Sequence, residues 1–335
     1  MRKTAQTKRI TNPNGRYSSS LLQPRRDHMT LPGGHGRLRA TRWLQALVIL
    51  LLTLAQRPVP GLAWGERGHK LINVAAVENL PEPLRSYFRA RKVYIVEHAS
   101  DPDLLAHDDP AERPHHFTDL DGEDAFPFLN LRRQFVLEKA APKPWQLPHG
   151  DSIWQIERFT RRLADSLRRR RWQEADHDAV FAAHYAGDLT QPLHTTMNYD
   201  GQLTGQNGVH ARFETELVNA LADGWQLSLQ PAVFEPDLRA RIFQEAAASF
   251  SSRNVIFAAD HIAVSGCNYL DPQYRVTFYR LAGPLAEKRL AAGASFVSSL
   301  WYTAWVRAGK PLLPGQPVDV NVFEQRPAAS SKVSR

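Results

Sequence analysis

The segment HYAGDLTQPLH, residues 184–194, places two histidines and an aspartate among small and apolar residues. In a helix, His184 and Asp188 would lie one turn apart on the same face. An imidazole and a carboxylate at this spacing can hold one cation between them. Pro192 would end the helix, so that His194 could turn back towards the same pocket. Taken alone, the pattern also fits a buried helix with a hydrogen-bonded core histidine.

Two further clusters favour the metal-site interpretation. His210 and Glu214 repeat the four-residue spacing within GVHARFETELV. Residues 98–121 are unusually rich in aspartate and histidine, and they include the adjacent pair His115 and His116. Because so many carboxylates and imidazoles would repel one another or stay unpaired when buried, cations are expected to neutralise them.

The amino-terminal 63 residues predict a leader that is removed. They contain eleven Lys or Arg and one acidic residue, and an apolar run of 13 residues from Trp43 to Ala55. That run is shorter than the roughly 20 residues needed to span a bilayer. With small residues at 61–63, the pattern predicts a secretory signal peptide cleaved before Trp64, and Met29 is an alternative translation start. The protein is therefore expected to be exported, periplasmic or secreted.

Cleavage before Trp64 would add a further pair of metal ligands. It would free the α-amine of Trp64, five residues ahead of His69 in WGERGH. A terminal amine and the carbonyl oxygen of the same residue can close a five-membered chelate ring around a cation. The alternative is that Trp64 is only a packed terminal aromatic residue.

The order of these motifs resembles the phospholipase C/P1 nuclease superfamily, whose members are secreted helical enzymes with three zinc ions. The motifs are W-x4-H, an Asp followed by HF, H-x3-D-x5-H with QP before the last His, and H-x3-E, and they span Trp64 to Glu214. WGERGHKLINVAA is more similar to the single-strand-specific nucleases. The pair H-x3-E is more similar to bacterial zinc-dependent phospholipase C, since the nuclease branch normally has Asp at the position of Glu214.

The resemblance implies three zinc sites, with Asp188 bridging two of them and Asp103 and Asp188 as catalytic residues. The implied ligands are Trp64, His69 and Asp188 for the first ion, Asp103, His116, His184 and Asp188 for the second, and His194, His210 and Glu214 for the third. Asp101 and His115 remain alternatives to Asp103 and His116. The other histidines have no counterpart in the pattern and are predicted to be structural or surface residues, at His98, His107, His149, His177 and His261.

The hydrophobic periodicity predicts an all-α, single-domain, multi-helix bundle over residues 64–309. Helices are expected near 72–80, 84–88, 153–167, 176–187, 209–221, 237–264 and 273–308. Residues 99–130 are expected to form an ordered loop, 131–150 a connection and 310–335 a largely unstructured tail.

The charge composition bears on which partners the protein can bind. The chain has 42 Lys and Arg and 34 Asp and Glu; the leader holds 11 and one of these, which leaves 31 and 33 and a net charge of about −2. The high pI therefore belongs to the leader and gives no support for a basic nucleic-acid-binding surface. Cys267 is the only cysteine, so no intramolecular disulfide is possible. We infer no transmembrane span in the mature chain and no stable protein partner.

Together these features predict an exported, trinuclear zinc-dependent hydrolase that cleaves phosphodiester bonds, with single-stranded nucleic acid and phospholipid both open as substrates. Oxygen and nitrogen ligands of this kind suit zinc. A base-stacking platform or an apolar lipid rim could come from the same aromatic residues, Phe126, Phe128, Trp145 and Trp154. The alternative is a non-catalytic periplasmic helical protein whose zinc ions are purely structural.

Overall fold

The computed structural model describes residues 64–315, and every regular element in that range is helical, with no β-strand among the described residues. The prediction of an all-α fold is therefore confirmed. The predicted leader at residues 1–63 and the part of the predicted tail beyond residue 315 lie outside the described residues. Within the described part, no helix is both long enough and apolar enough to cross a membrane.

Four helices begin the described chain: α1 (Glu66–Asn79), α2 (Leu84–Arg89), α3 (Lys92–Glu97) and α4 (Asp101–Asp108). The break between α1 and α2 falls at Pro81 and Pro83, as the proline pair predicts. One face of α1 is buried, and it includes His69. The first helix therefore directs an imidazole towards the core.

Residues 99–150 contain more helix than the sequence predicted. Besides α4 they form α5 (Leu120–Glu123), α6 (Leu129–Arg132), a π-helical turn at Arg133–Leu137, and 3-10 turns at Arg113–His116 and Leu147–His149. The expectation of a loop was wrong for these stretches. Elements of three to eight residues are too short to show a helical hydrophobic period.

Two long helices, α7 (Ser152–Arg168) and α8 (Trp172–Thr190), pack against each other as a hairpin. The predicted apolar stripe of α7 is buried along its whole length. Arg168 and Arg169 at its end pair with Asp165, and Arg171 pairs with Glu174. The arginine run is therefore a solvated helix end.

Helix α8 ends at Thr190, two residues before Pro192. Gln191 has an extended backbone with ψ of 117°, the conformation favoured for a residue that precedes proline. A 3-10 turn at Pro192–Thr195 then reverses the chain. The proline thus determines where His194 leaves the helix.

A second helical run follows a series of turns. Gly201, Gly205 and Gly208 have positive φ angles between α8 and α9 (Val209–Ala211). A π-helical turn at Arg212–Leu217 joins α9 to α10 (Val218–Leu221), so helix is nearly continuous over the predicted range 209–221. Such widened turns are common at functional sites.

Helices α11 (Leu238–Val264) and α12 (Pro272–Arg307) complete the bundle close to their predicted bounds. Residues 225–236 run beside α12 without regular structure. Their backbone N–H groups donate hydrogen bonds to hydroxyls four residues apart on α12, at Ser295, Ser299 and Thr303. These hydrogen bonds satisfy backbone N–H groups that have no partner in a helix or a β-strand.

Candidate metal centre

Helix α8 supplies two of the candidate ligands. His184 and Asp188 are fully buried and lie one turn apart, with His184 Nε2 3.3 Å from Asp188 Oδ2. The other ring nitrogen of His184, Nδ1, donates to the carbonyl oxygen of Ala99 at 2.9 Å. That hydrogen bond leaves the lone pair of Nε2 directed at the carboxylate.

Asp103 from α4 and His116 from a 3-10 turn complete a group of four. His116 Nδ1 lies 3.0 Å from Asp188 Oδ2, 3.1 Å from His184 Nε2 and 3.5 Å from Asp103 Oδ1. Asp103 Oδ1 is also 3.5 Å from His184 Nε2. A regular tetrahedron with edges of about 3.3 Å has its centre about 2.0 Å from each corner, which is the distance at which zinc binds nitrogen and oxygen.

His69 lies beside this group. Its ring stacks on that of His184 with centroids 4.0 Å apart, and its Nε2 is 3.2 Å from Asp188 Oδ1. Asp188 therefore presents one oxygen to His69 and the other to His116 and His184.

Trp64 is anchored next to the end of α8. Its side chain is completely buried, it packs against Phe213 with ring centroids 5.7 Å apart, and its Nε1 donates to the hydroxyl of Thr190 at 3.4 Å. The next residue, Gly65, is in such close contact that a Cβ there would lie 2.8 Å from Thr215 Oγ1. The packing holds the start of the predicted mature chain inside the fold.

His194, His210 and Glu214 form a separate group of three. His194 Nε2 lies 3.1 Å from His210 Nε2 and 3.5 Å from Glu214 Oε2, and His210 Nε2 lies 2.8 Å from Glu214 Oε2. The Nδ1 atoms donate to backbone carbonyls, that of His194 to His116 and that of His210 to Tyr199. Such outer hydrogen bonds orient a metal-binding imidazole and select its tautomer.

Burial shifts the pKa values of His69, His116 and Asp188 towards their neutral forms. It lowers the pKa of His69 and of His116 well below the usual value, and the neighbouring His184 imidazole lowers both further. Burial also raises the pKa of Asp188 well above its usual value, with Asp103 and then Glu214 adding to the effect. Neutral imidazoles have free lone pairs, and a buried carboxylate needs a nearby cation to ionise.

Several buried ligand atoms have no hydrogen-bond partner. Among the described residues these include His69 Nε2, Asp103 Oδ1, Asp188 Oδ1 and Glu214 Oε1. Buried polar atoms are normally satisfied, so buried atoms without a partner require an explanation. Divalent cations at these positions would satisfy them, and the three groups His69–Asp103–His184, His116–His184–Asp188 and His194–His210–Glu214 are compact enough to hold ions.

The structure separates the alternatives that the sequence left open. Asp101 lies outside the cluster and pairs with His98 at 2.7 Å, whereas Asp103 lies inside it. His115 pairs with Asp151 at 2.7 Å, and His116 faces the cluster. The remaining histidines that the family pattern leaves unassigned are likewise absent from the three groups.

Two residues near the ligands were missed by the sequence reasoning. Gln191 is completely buried, and its Nε2 donates to Glu214 Oε2 at 3.2 Å while its Oε1 accepts from the Leu193 N–H at 2.6 Å. Glu112 Oε1 lies 3.9 Å from His116 Nε2 and accepts a hydrogen bond from the Tyr185 hydroxyl. The QP dipeptide before His194 was the available signal for Gln191; nothing comparable marked Glu112.

The four aromatic candidates for substrate contact divide into two pairs. Phe126 and Trp145 are exposed. Phe128 and Trp154 are buried in the core, so the expectation that they could form an open platform was wrong. Sequence spacing did not distinguish the two kinds, because Phe126, Phe128 and Trp145 lie in or beside short elements, and Trp154 lies in the first turn of α7.

Comparison with known proteins gives an independent result. The family model described as S1/P1 Nuclease matches residues 64–229, about half of the chain. The matched range includes all nine proposed ligand residues, from Trp64 to Glu214. No curated protein matches the chain. The chain belongs to the S1/P1 nuclease family, within the phospholipase C/P1 nuclease superfamily.

Proposed function

We propose that this protein is an exported, trinuclear zinc-dependent phosphodiesterase that cleaves single-stranded nucleic acid. The observation that carries the proposal is the group of Asp103, His116, His184 and Asp188, whose ligand atoms are spaced for one tetrahedral zinc ion. The family match supports hydrolysis of phosphodiesters and favours nucleic acid over lipid.

The nine predicted ligands are assigned as follows. Asp103, His116, His184 and Asp188 would hold one ion. His69, Asp188 and the amine and carbonyl of Trp64 would hold a second, once the leader has been cleaved. His194, His210 and Glu214 would hold the third. The assignment rests on the contacts of the side chains and on the buried position of Trp64.

Zinc in such sites lowers the pKa of coordinated water towards neutrality and stabilises negative charge on phosphoryl oxygens. The chain's own residues hold the ions and position the reacting groups. Asp103 retains 21% side-chain exposure, whereas His184 and Asp188 have none, so Asp103 is the ligand that can reach substrate and water. Its carboxylate is the group placed to orient the attacking water or accept its proton.

The third group distinguishes catalysis from a structural role. Structural zinc sites are usually closed by four protein ligands, whereas catalytic sites have three and leave a position for water or substrate. His194, His210 and Glu214 are three ligands. This count favours an enzyme over the alternative of a non-catalytic zinc-binding protein.

Phospholipid is the second candidate substrate, because two features favour it. Glu214 occupies the position where the nuclease branch normally has Asp. In addition, Leu104 and Leu105 are exposed immediately after Asp103, and Met197 is exposed three residues after His194. Apolar side chains next to the ligands suit acyl chains better than a polyanionic strand.

The first experiment measures zinc content and turnover of bis-p-nitrophenyl phosphate by the processed protein. Asp188→Asn should lose zinc from two sites and at least about a thousandfold in activity, because one carboxylate serves both ions. Asp101→Asn is the matched control, since Asp101 pairs with His98 outside the cluster. Zinc-loaded, correctly processed protein that hydrolyses no phosphodiester would refute the enzymatic function.

The second experiment compares substrates. Single-stranded DNA and RNA, double-stranded DNA and phosphatidylcholine are assayed with one zinc-loaded preparation. Faster hydrolysis of the single strands supports the proposal, and preferential hydrolysis of phosphatidylcholine replaces it with the phospholipase activity.

A further inference from the structure

Residues 125–147 present exposed apolar side chains that no other part of the described chain covers. Leu129 and Leu137 are each 65% exposed, Trp145 is 56% exposed and Leu147 is 43% exposed. Large apolar residues concentrated in one short segment differ from the isolated exposed residues normal on any surface. The concentration indicates an interaction surface.

Trp145 lies beside the helical run that carries Leu129 and Leu137. Leu129, Arg133 and Leu137 follow one another at four-residue spacing on a helical run whose other side, including Phe135, is buried. Trp145 and Lys143 approach that run from the other half of the segment. Together with Arg133 and the carboxylates of Glu123 and Glu138 they line a cavity of about 130 Å³.

Internal hydrogen bonds hold the two halves of the segment together. Gln146 Oε1 accepts from Gln134 Nε2 at 2.6 Å and from the Lys143 N–H at 2.9 Å. Gln134 and Gln146 are both buried. The exposed face therefore has a defined shape in the isolated chain.

The charges on this segment are predominantly positive. Arg133 pairs with Glu138 at 2.7 Å, the single acidic residue between positions 125 and 147. Arg132, Lys139 and Lys143 are exposed and form no ion pair with any described residue. Three unpaired cations thus lie among the exposed leucines and the tryptophan, although residues 64–335 have a slight excess of acidic residues.

We propose that the exposed side chains of this segment, Leu129, Leu137, Trp145 and Leu147 with Arg132, Lys139 and Lys143, form a face that docks on an anionic lipid surface. Aliphatic and indole side chains bury their apolar parts at the boundary between headgroups and acyl chains, while Lys and Arg contact anionic headgroups. Three of the five large exposed apolar residues of this segment are leucines, which cannot stack on bases as a nucleic-acid platform requires; the other two are Phe126 and Trp145. The inference goes beyond the proposed function and does not depend on catalysis.

Vesicle co-sedimentation tests the proposal. The protein is recovered after export, its amino terminus is defined by mass spectrometry, and vesicles of phosphatidylglycerol with phosphatidylcholine in equal parts are compared with phosphatidylcholine alone. Binding is expected only to the anionic vesicles and should weaken as salt is raised. One cation close to such a surface strengthens binding about fivefold, so Arg132→Gln with Lys143→Gln should weaken it roughly 25-fold.

A second variant tests the apolar part. Leu129→Ser with Leu137→Ser should weaken vesicle binding at least about tenfold, because two side chains lose their burial in the interface. The matched control is Leu270→Ser with Arg275→Gln, an exposed leucine and an exposed cation near the start of α12, which should bind as the unaltered protein does. Circular dichroism verifies that each variant is folded.

Asp188→Asn separates this inference from the proposed function, because it should abolish turnover and leave vesicle binding unchanged. The docking proposal is overturned if the unaltered protein does not bind anionic vesicles, or if both face variants bind as well as the control. It is also overturned if the face variants lose binding to a single-stranded oligonucleotide or lose self-association while vesicle binding is unaffected.

Discussion

His69 Nε2 and Asp188 Oδ1 lie 3.2 Å apart, yet neither atom makes a hydrogen bond. Both are buried, and burial favours the neutral form of each residue. Buried polar atoms normally have a partner. A divalent cation in contact with both atoms would satisfy them.

Replacing Gly187 with alanine should disturb His69 without unfolding the protein. A Cβ at residue 187 would lie 3.1 Å from His69 Nδ1, 3.2 Å from Cε1 and 3.3 Å from Ile72 Cδ1, so the ring has to shift by a few tenths of an ångström. Alanine favours the helix by up to about 1 kcal/mol, which offsets part of the strain. We expect roughly tenfold weaker binding of one of the three zinc ions, measured by competition with a chelator.

Gly224→Ala provides the comparison, because a Cβ there meets no atom within 4 Å. If Gly187→Ala binds all its zinc as tightly as Gly224→Ala does, the proposed role of His69 is wrong.

One extra residue before Trp64 should remove a metal ligand without altering any side chain. The α-amine would become a peptide nitrogen, which does not bind zinc, and the close packing of Gly65 on Thr215 leaves little room for rearrangement. We expect loss of one zinc ion per chain and a large fall in phosphodiester hydrolysis, measured by elemental analysis and turnover. Trimming the extension with an aminopeptidase should restore both. Full zinc content in the extended protein would argue against the chelate.

Gln191→Leu should weaken zinc binding by His194, His210 and Glu214. The substitution removes the donor to Glu214 and the acceptor for the Leu193 N–H. An unsatisfied buried N–H costs about 1 to 3 kcal/mol, so the free energy of unfolding should fall by that amount. Loss of an outer partner of a ligand typically weakens metal binding about 10 to 100-fold. Zinc titration and urea unfolding measure the two effects separately.

Gln226→Leu, at an exposed position, controls for the loss of an amide. A Gln191→Leu protein with reduced stability but unaltered zinc affinity would limit Gln191 to a structural role.

Stability should fall as the pH rises from about 4 to 7 because of Asp119. Burial, with Asp121 and Glu123 adding to it, raises the pKa of Asp119 from 3.8 to about 7. A carboxyl group with a raised pKa in the folded state does not destabilise the fold while it is protonated in both states. The free energy of unfolding falls as the pH rises from the pKa of the unfolded state through the pKa of the folded state, because burial then opposes ionisation. The cost at pH 8 is about 4 kcal/mol for a shift of this size. Urea unfolding at pH 5 and pH 8 should show it.

Asp119→Asn should remove the part of this pH dependence that Asp119 contributes and leave that of Glu123, whose pKa burial also raises to about 7. Asp108→Asn, at an exposed carboxylate, should retain all of it. An Asp119→Asn protein with the same difference between pH 5 and pH 8 as the unaltered protein would show that the carboxyl is not the cause.

The helical class and most of the side chains that meet in the three buried groups could be predicted from the sequence alone. Long helices such as α7 and α11 repeat their apolar positions over many turns, so their periodicity is visible without coordinates. The His184–Asp188 and His210–Glu214 pairs were equally accessible, because a spacing of four residues is a local property of a helix.

Contacts between groups that are distant in sequence could not be predicted in the same way. The choice of Asp103 over Asp101 depends on which side of a two-turn helix faces α8, and adjacent His115 and His116 point to different partners. Tertiary packing also determines the short helices between residues 101 and 149, the buried position of Gln191 and the exposed face around Trp145. Packing between distant segments determines burial and orientation, and a short irregular segment has no periodic signal from which either can be predicted.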